Sequence, residues 1–338
     1  MKRKIRVAIL FSILFLSKTL WAQVDPHFSQ YYVYPSWLNP ALTGIFDGDY
    51  RVSGIYRNQW GSVSSPFSTP GASFEITTNK NINFGVSILN QTVKSGGYNY
   101  LTAYGSASYT GVRFGVKGDQ RLVFGLQAGV INRRFDQSKF TTGNQWNPIT
   151  GYNPSVPVEA IALTKSMSFD AGAGVLYFDA EAGKKANFYG GFSASHITQP
   201  DDKFTSTALK TKIPMRFTIH GGVKISVSDM LSITPNLLYL KQGTASEKMI
   251  GAYAQLKANE ITDVLFGANV RLNDAISPYV GLNHKNMTIG VSYDINTSDL
   301  GKFVNGASSF EISLSFIGRK TFKASMNSKA HRKFSLQN

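Results

Sequence analysis

The stretch Ser309-Phe310-Glu311-Ile312-Ser313-Leu314-Ser315-Phe316 decides the fold. Its even positions are large and apolar, its odd positions polar. Successive side chains of a β-strand point to opposite faces, so this spacing predicts a strand with one apolar and one polar face. The pattern recurs upstream. Leu122, Phe124, Leu126, Ala128 and Val130 alternate with Val123, Gly125, Gln127 and Gly129. Phe217, Ile219, Gly221, Val223 and Ile225 alternate with Thr218, His220, Gly222, Lys224 and Ser226, and Met287, Ile289, Val291 and Tyr293 with Thr288, Gly290, Ser292 and Asp294. Helical periodicity is nearly absent between 49 and 317. The alternation predicts about fourteen strands, near 49–60, 71–78, 81–91, 98–116, 121–133, 167–179, 185–196, 215–227, 230–240, 249–257, 263–272, 275–284, 286–294 and 308–317. Their lengths suit tilted strands crossing a bilayer, which need about nine residues or more.

Connection lengths point the same way. Every second connection is a short polar turn: Thr78–Asn81, Lys117–Gln120, Ala180–Lys184, Ser226–Asp229, Ala258–Thr262 and His284–Asn286. The others tend to be longer, above all 134–166 and 197–214; the connection at Asn273 and Asp274 is a short exception. Transmembrane barrels show this asymmetry, with short turns on the periplasmic side and longer loops outside. In hydrocarbon every backbone N–H and C=O needs a partner, and a sheet provides that only by closing. The expectation is an all-β, antiparallel outer-membrane barrel of about fourteen strands, with both mature termini periplasmic. Tyr50, Tyr56, Trp60, Tyr98, Tyr100, Tyr104, Tyr177 and Tyr239 are candidates for the aromatic girdles that contact outer-membrane lipid.

Composition agrees. Charged residues make up 16% of the 338-residue chain, aromatics 13%, and the mean hydropathy is -0.13. A barrel averages apolar outward and polar inward faces to such a value. No cysteine is present, which removes disulfides, thiolate metal sites and cysteine nucleophiles. The net charge of +15 is concentrated at the ends. Residues 1–22 carry Lys2, Arg3, Lys4, Arg6 and Lys18 before or around the apolar run Val7–Leu16, and Ala22 follows; this reads as a secretory signal peptide. The residues after Ile317 include Arg319, Lys320, Lys323, Lys329, Arg332 and Lys333 with no acid, and read as a basic periplasmic tail over 318–338. Charge confined to the termini, without a nucleic-acid motif, excludes nucleic acid as the partner.

Residues 23–48 differ from the barrel at 49–317. Pro26, Pro35 and Pro40 forbid a long regular element. Phe28, Tyr31, Tyr32, Tyr34 and Trp37 need cover, either in the barrel lumen or against its periplasmic rim. On the first strand, alternation turns Arg51, Arg57 and Gln59 inward, and it does the same for Glu75 on the second strand and Glu311 on the last. Arg57 is thus expected to pair with Glu75 or Glu311, or to clamp the N-terminal segment. The candidate plug or partner-binding residues are Phe28, Tyr31, Tyr32, Trp37, Asn39, Pro40, Arg57, Gln59, Glu75 and Glu311; ordinary luminal ion pairs are the alternative. Trp146 and Tyr152, in the longest loop, are candidates for contact with an exported partner.

The opening Asp25-Pro26-His27-Phe28-Ser29-Gln30-Tyr31, then Leu38-Asn39-Pro40-Ala41 with Gly44, then Tyr56-Arg57-Asn58-Gln59-Trp60, resembles the PorP/SprF family of type IX secretion outer-membrane proteins. The terminal Phe310–Phe316 strand fits as well; the basic tail beyond it departs from members that end there. The resemblance implies a FadL-like barrel, secretion or surface attachment of cargo carrying a C-terminal sorting domain, a role for some members with gliding adhesins of Bacteroidota, and type IX secretion components as partners. A FadL-like channel for a hydrophobic small molecule is the alternative.

Chemistry is sparse. His27, His196, His220, His284 and His331 show no metal-ligand spacing. No Gly-x-Ser-x-Gly elbow is present. The pairs Gly96-Gly97, Gly190-Gly191 and Gly221-Gly222 do not lead from a strand into a helix, as a phosphate loop would. No catalysis and no cofactor are expected.

Overall fold

A computed structural model describes residues 25–61, 65–78, 80–93, 97–158, 164–201, 212–298 and 309–319. The stretch expected to be a signal peptide and residues 320–338 of the expected basic tail lie outside them. Fourteen antiparallel strands form a closed barrel. They are β1 Tyr50–Gln59, β2 Phe67–Ile76, β3 Ile82–Val93, β4 Tyr98–Phe114, β5 Gln120–Phe135, β6 Lys165–Asp179, β7 Ala186–Ser195, β8 Arg216–Ser226, β9 Leu231–Gln242, β10 Ala245–Asn259, β11 Thr262–Arg271, β12 Ala275–His284, β13 Met287–Asn296 and β14 Ser309–Gly318. Each strand pairs with its neighbours in sequence, and β14 returns to β1 in the register Val52↔Phe316 and Arg57↔Glu311. Closure leaves no edge strand, which a bilayer demands.

The burial pattern is inverted relative to a protein in water. On β14, Phe310, Ile312, Leu314 and Phe316 are exposed, while Glu311, Ser313 and Ser315 are buried. β5 exposes Phe124 and Leu126 and buries Val123 and Gln127. An apolar belt of this extent around the whole wall has no stable solution in water; hydrocarbon is the solvent that accepts it.

Two boundaries differ from the sequence reading. β2 begins at Phe67 rather than 71, because Pro70 fits the wall opposite Tyr56 with its ring outward. β9 and β10 run on to a two-residue turn, Gly243–Thr244, where a longer loop was expected; Gly243 has φ +58°, which glycine adopts without strain. The long connections are therefore 136–164, 196–215 and 297–308. Four girdle candidates also move. Tyr100 and Tyr104 face the lumen and are 5% exposed. Tyr98 shares their face, and Trp60 packs edge-on against Phe67 (5.4 Å between centroids) beside an external cavity. The phenol groups of Tyr100 and Tyr104 explain the inward choice, since each finds a buried carboxylate: Asp25 at 3.3 Å and Asp170 at 2.7 Å. Tyr50, Tyr56, Tyr177 and Tyr239 keep the outward, half-buried positions.

Residues 25–48 run inside this wall along its length. Asp25 bonds to Arg216, the first residue of β8, and Gln242, the last of β9, at the end that carries the long loops. The Asp49 N–H donates to Gly318 O at the end with the short turns. The two ends of the described chain, Asp25 and Arg319, thus stand at opposite ends of the barrel. The termini expected to share the periplasmic side lie outside the described residues. The placement of Asp25 is geometric: β1 starts at the turn end, and the segment before it spans the lumen instead of lying on the rim. An epitope inserted immediately before Asp25 is expected to stain on the same membrane side as one at Trp146, and on the opposite side from one at Gly183 in the β6–β7 turn. Antibody staining of intact and permeabilised cells checks this.

Candidate functional site: the luminal segment and its charged anchors

The segment's path is set by its prolines. Pro35 opens a single helical turn, α1 Pro35–Leu38, at the position where a missing N–H costs nothing. Asn39, before Pro40, is held extended (φ -159°, ψ 120°), as a residue preceding proline prefers. Its side-chain oxygen accepts from the Ala41 N–H at 2.9 Å and caps the short 3-10 turn Pro40–Leu42. Its amide nitrogen donates to Val175 O of β6 at 3.0 Å and lies 3.1 Å from His220 Nε2 of β8. This corner needs a wall without side chains. A Cβ at Gly125 would collide with the Pro40–Ala41 backbone, and one at Gly174 with the Asn39 side-chain oxygen Oδ1. Wall glycines therefore do more than relieve curvature: they seat the corner.

Aromatic side chains fill the space around it. Phe28 meets Tyr34 edge-on at 6.1 Å, and Tyr32 packs between Tyr253 of β10 and Tyr279 of β12 at 5.5 and 5.8 Å. The Tyr31 hydroxyl donates to Asn236 of β9 at 2.8 Å, and the Tyr34 hydroxyl to Ile88 O of β3 at 2.9 Å. The Ser193 hydroxyl of β7 donates to Leu38 O (2.8 Å), and the hydroxyls of Thr43 and Ser106 of β4 lie 2.9 Å apart.

Three buried ionic groups anchor the segment. At the turn end, Arg51 of β1 grips Glu75 of β2 through Nη2 at 2.8 and 2.9 Å, and Glu75 accepts the Gly44 N–H at 2.8 Å. The same guanidinium lies 4.7 Å over the Phe46 ring. Nearer the loop end, Arg57 pairs with Glu311 of β14 and with Asp294 of β13 at 2.8 Å, and Arg271 of β11 reaches Asp294 at 2.7 Å. Ser29 and Gln30 enter this group through their backbone: both N–H groups donate to the Glu311 carboxylate, at 2.6 and 2.8 Å. At the loop end, Arg216 of β8 and His196 reach Asp25 at 2.9 and 2.7 Å, and His196 Nδ1 lies 2.8 Å from Asp170 of β6. Both ring nitrogens face carboxylate oxygens, which only accept, so both donate and the ring is the imidazolium. Arg216 also lies 4.5 Å over the Trp37 ring and donates to Trp37 O.

Each group balances the charge of its buried members: one cation with one anion, two with two, two with two; Arg271 also reaches the exposed Asp274 at 2.7 Å. That balance is what allows buried ions to persist. Counting the Ser29 O–Asn269 bond of β11, the segment touches all fourteen strands.

Of the residues singled out in the sequence, Phe28, Tyr31, Tyr32, Trp37, Asn39, Pro40, Arg57, Glu75 and Glu311 meet in this assembly. Arg57 takes Glu311, whereas Glu75 belongs to Arg51, which sits directly opposite it across the β1–β2 pair. Gln59 lines the external cavity. Trp146 and Tyr152 lie apart, in the outer loop. They form a cross-strand pair between the two-residue strands Trp146–Asn147 and Gly151–Tyr152, rings 5.2 Å apart, 60% and 42% exposed. Asp25, Asp170, His196, Arg216, Arg271 and Asp294 were missed. The available signal was a charge on the inward parity of a strand in a charge-poor chain, as at Asp170, which follows the exposed Met167 and Phe169 on the opposite parity.

The model of the type IX secretion system membrane protein family PorP/SprF matches residues 20–316. The chain belongs to this family. Its anchors fall on the PorP/SprF motifs quoted above: Asp25, Ser29 and Gln30 in the first, Asn39, Pro40 and Gly44 in the second, Arg57 in the third. The fold is that of an outer-membrane barrel. The toluene transporter TbuX of Ralstonia pickettii is 11% identical over 85% of this chain and 93% of its own, with a TM-score of 0.51. A FadL homologue of Pseudomonas aeruginosa is 12% identical over 84% and 94%, with a TM-score of 0.45. No curated protein matches the sequence.

Truncating Arg57 to alanine would strand Glu311 and half of Asp294 without their cation. Removing one partner of a buried pair costs about 3–5 kcal/mol, whereas Gln59→Ala at the cavity rim is expected to change stability by about 0.5 kcal/mol or less. Urea unfolding of the barrel in lipid vesicles measures both.

Proposed function

We propose that this PorP/SprF barrel acts by binding, as the outer-membrane component that secretes or holds at the surface an exported protein with a C-terminal sorting domain, gliding adhesins among the candidates. The observation that carries this reading is the occupied lumen. Residues 25–48 act as a plug, in contact with every strand and anchored by three charge-balanced groups. What remains for function is its two ends. At the loop end, the exposed Trp146–Tyr152 hairpin with Ile149 at its tip (93% exposed) is the surface for cargo. At the turn end, the base of the plug and the start of the basic tail lie together, with Arg319 2.7 Å from Asp47. This is where type IX components on the periplasmic side would engage.

The channel reading is supported by the apolar cavity at the loop end. It requires the plug to leave its anchors. Deletion of the chain in its source organism, with sorting-domain proteins quantified at the cell surface, in the medium and in the periplasm, tests the proposal. Loss of a particular surface protein with other export intact is expected. Unchanged distribution in all three fractions would contradict it.

A further inference from the structure

At the loop end the barrel opens into a cup of about 670 Å³. Its floor is the start of the plug, Asp25-Pro26-His27, so the cup is a dead end. Its wall carries two aromatic pairs: Trp60 with Phe67, and Tyr98 with Phe135, the latter 5.2 Å apart. Val93, at the end of β3, lies between them on the wall. Phe140 completes that side, its ring 5.8 Å from that of Phe135 and tilted 54° to it. The amides of Gln59 and Gln91 stand among these apolar groups.

We infer that this cup is a binding site for an extended peptide segment bearing an aromatic side chain, contributed by the exported partner. The inference rests on the cargo-binding reading above and names the chemistry that reading leaves open. Three observations select a peptide. First, the volume lies within the range of about 300–1,000 Å³ that encloses small ligands; it admits a few residues, not a folded domain. Second, Phe140 belongs to the same 136–164 connection as Trp146, Ile149 and Tyr152. One connection thus contributes both to the cup and to the exposed apolar hairpin, and apolar groups exposed to water call for a cover. Third, a glutamine amide offers one acceptor and two donors. Gln91 already donates to Thr69 Oγ1 at 3.4 Å; peptide groups satisfy both kinds at Gln59, whereas a hydrocarbon would bury that amide unpaired. An aromatic ring between the two pairs would make the edge and offset contacts such rings favour and would serve as the anchor of the interface.

The test uses the full chain in its own cells. p-Benzoyl-phenylalanine replaces Phe140 or Phe67 in the cup, or Trp146 at the hairpin, and only variants with the heat-modifiable mobility of a folded barrel are irradiated. The inference expects adducts from both places to an exported sorting-domain protein, with the cup adduct mapping to an aromatic-bearing peptide. Trp60→Ala should lower the cup adduct by about tenfold and leave the hairpin adduct within about twofold. An adduct at the hairpin alone would overturn the cup site while sparing the cargo reading. A cup adduct to lipid, glycan or a small molecule would overturn it too. No adduct to such a protein from either place would remove the cargo reading, and the inference with it.

Discussion

The structure depends on one constraint: a sheet in hydrocarbon must close, and a closed fourteen-stranded sheet encloses a lumen that must be filled with something. Lipid takes the apolar side chains on one face. The other face is lined with arginine, aspartate, glutamate and serine, and buried ions without partners would destabilise the barrel by several kcal/mol each. The protein resolves this from its own chain. Residues 25–48 bring aromatic volume to the space and backbone N–H groups to the carboxylates. Ion pairs across the strands supply the rest of the balance.

The anchors are distributed along the lumen in a way that bears on function. Arg51–Glu75 holds the base of the segment, the Arg57 group its upper third, and Asp25 its far end. Only Asp25 contributes a charge from the segment itself to these groups; elsewhere the wall holds the charges and the segment offers amides, hydroxyls and rings. Release of the segment would thus expose wall charges that already neutralise one another in two of the three groups, and would leave Arg216 without the anion Asp25 in the third. Its retention rests on hydrogen bonds to those pairs and on close packing of the Asn39–Ala41 corner against wall glycines. On the proposed reading, a barrel filled in this way would work through its rims, in keeping with membership in a secretion-system family.

Much of this was legible in the residues. The alternation at Phe310–Phe316 and its repeats fixed strand number and facing, because a period of two leaves no choice once one face meets lipid. Arg57, Glu75 and Glu311 were visible as charges on the inward parity. Their partners were not: pairing is set by register, and Arg51 rather than Arg57 stands opposite Glu75. Tyr100 and Tyr104 read as girdle residues because phenol rings suit both an interface and a buried hydrogen bond; only the carboxylates facing them distinguish the two. The direction of the segment was invisible, since prolines and aromatics show that it packs but not which end it enters. Asp25 and His196 come together from positions 171 residues apart, and no local pattern announces such a contact.

The central claim is that residues 25–48 occupy the lumen in the membrane. The Thr43 and Ser106 hydroxyls lie 2.9 Å apart, one on the segment and one on the inner wall, and neither belongs to an ionic group. The chain has no cysteine, so a T43C/S106C variant reports this contact alone. In outer membranes under mild oxidation, the account predicts a near-complete intramolecular disulfide, with both thiols shielded from soluble maleimides before oxidation. Thiols that stay reduced and react freely would contradict it.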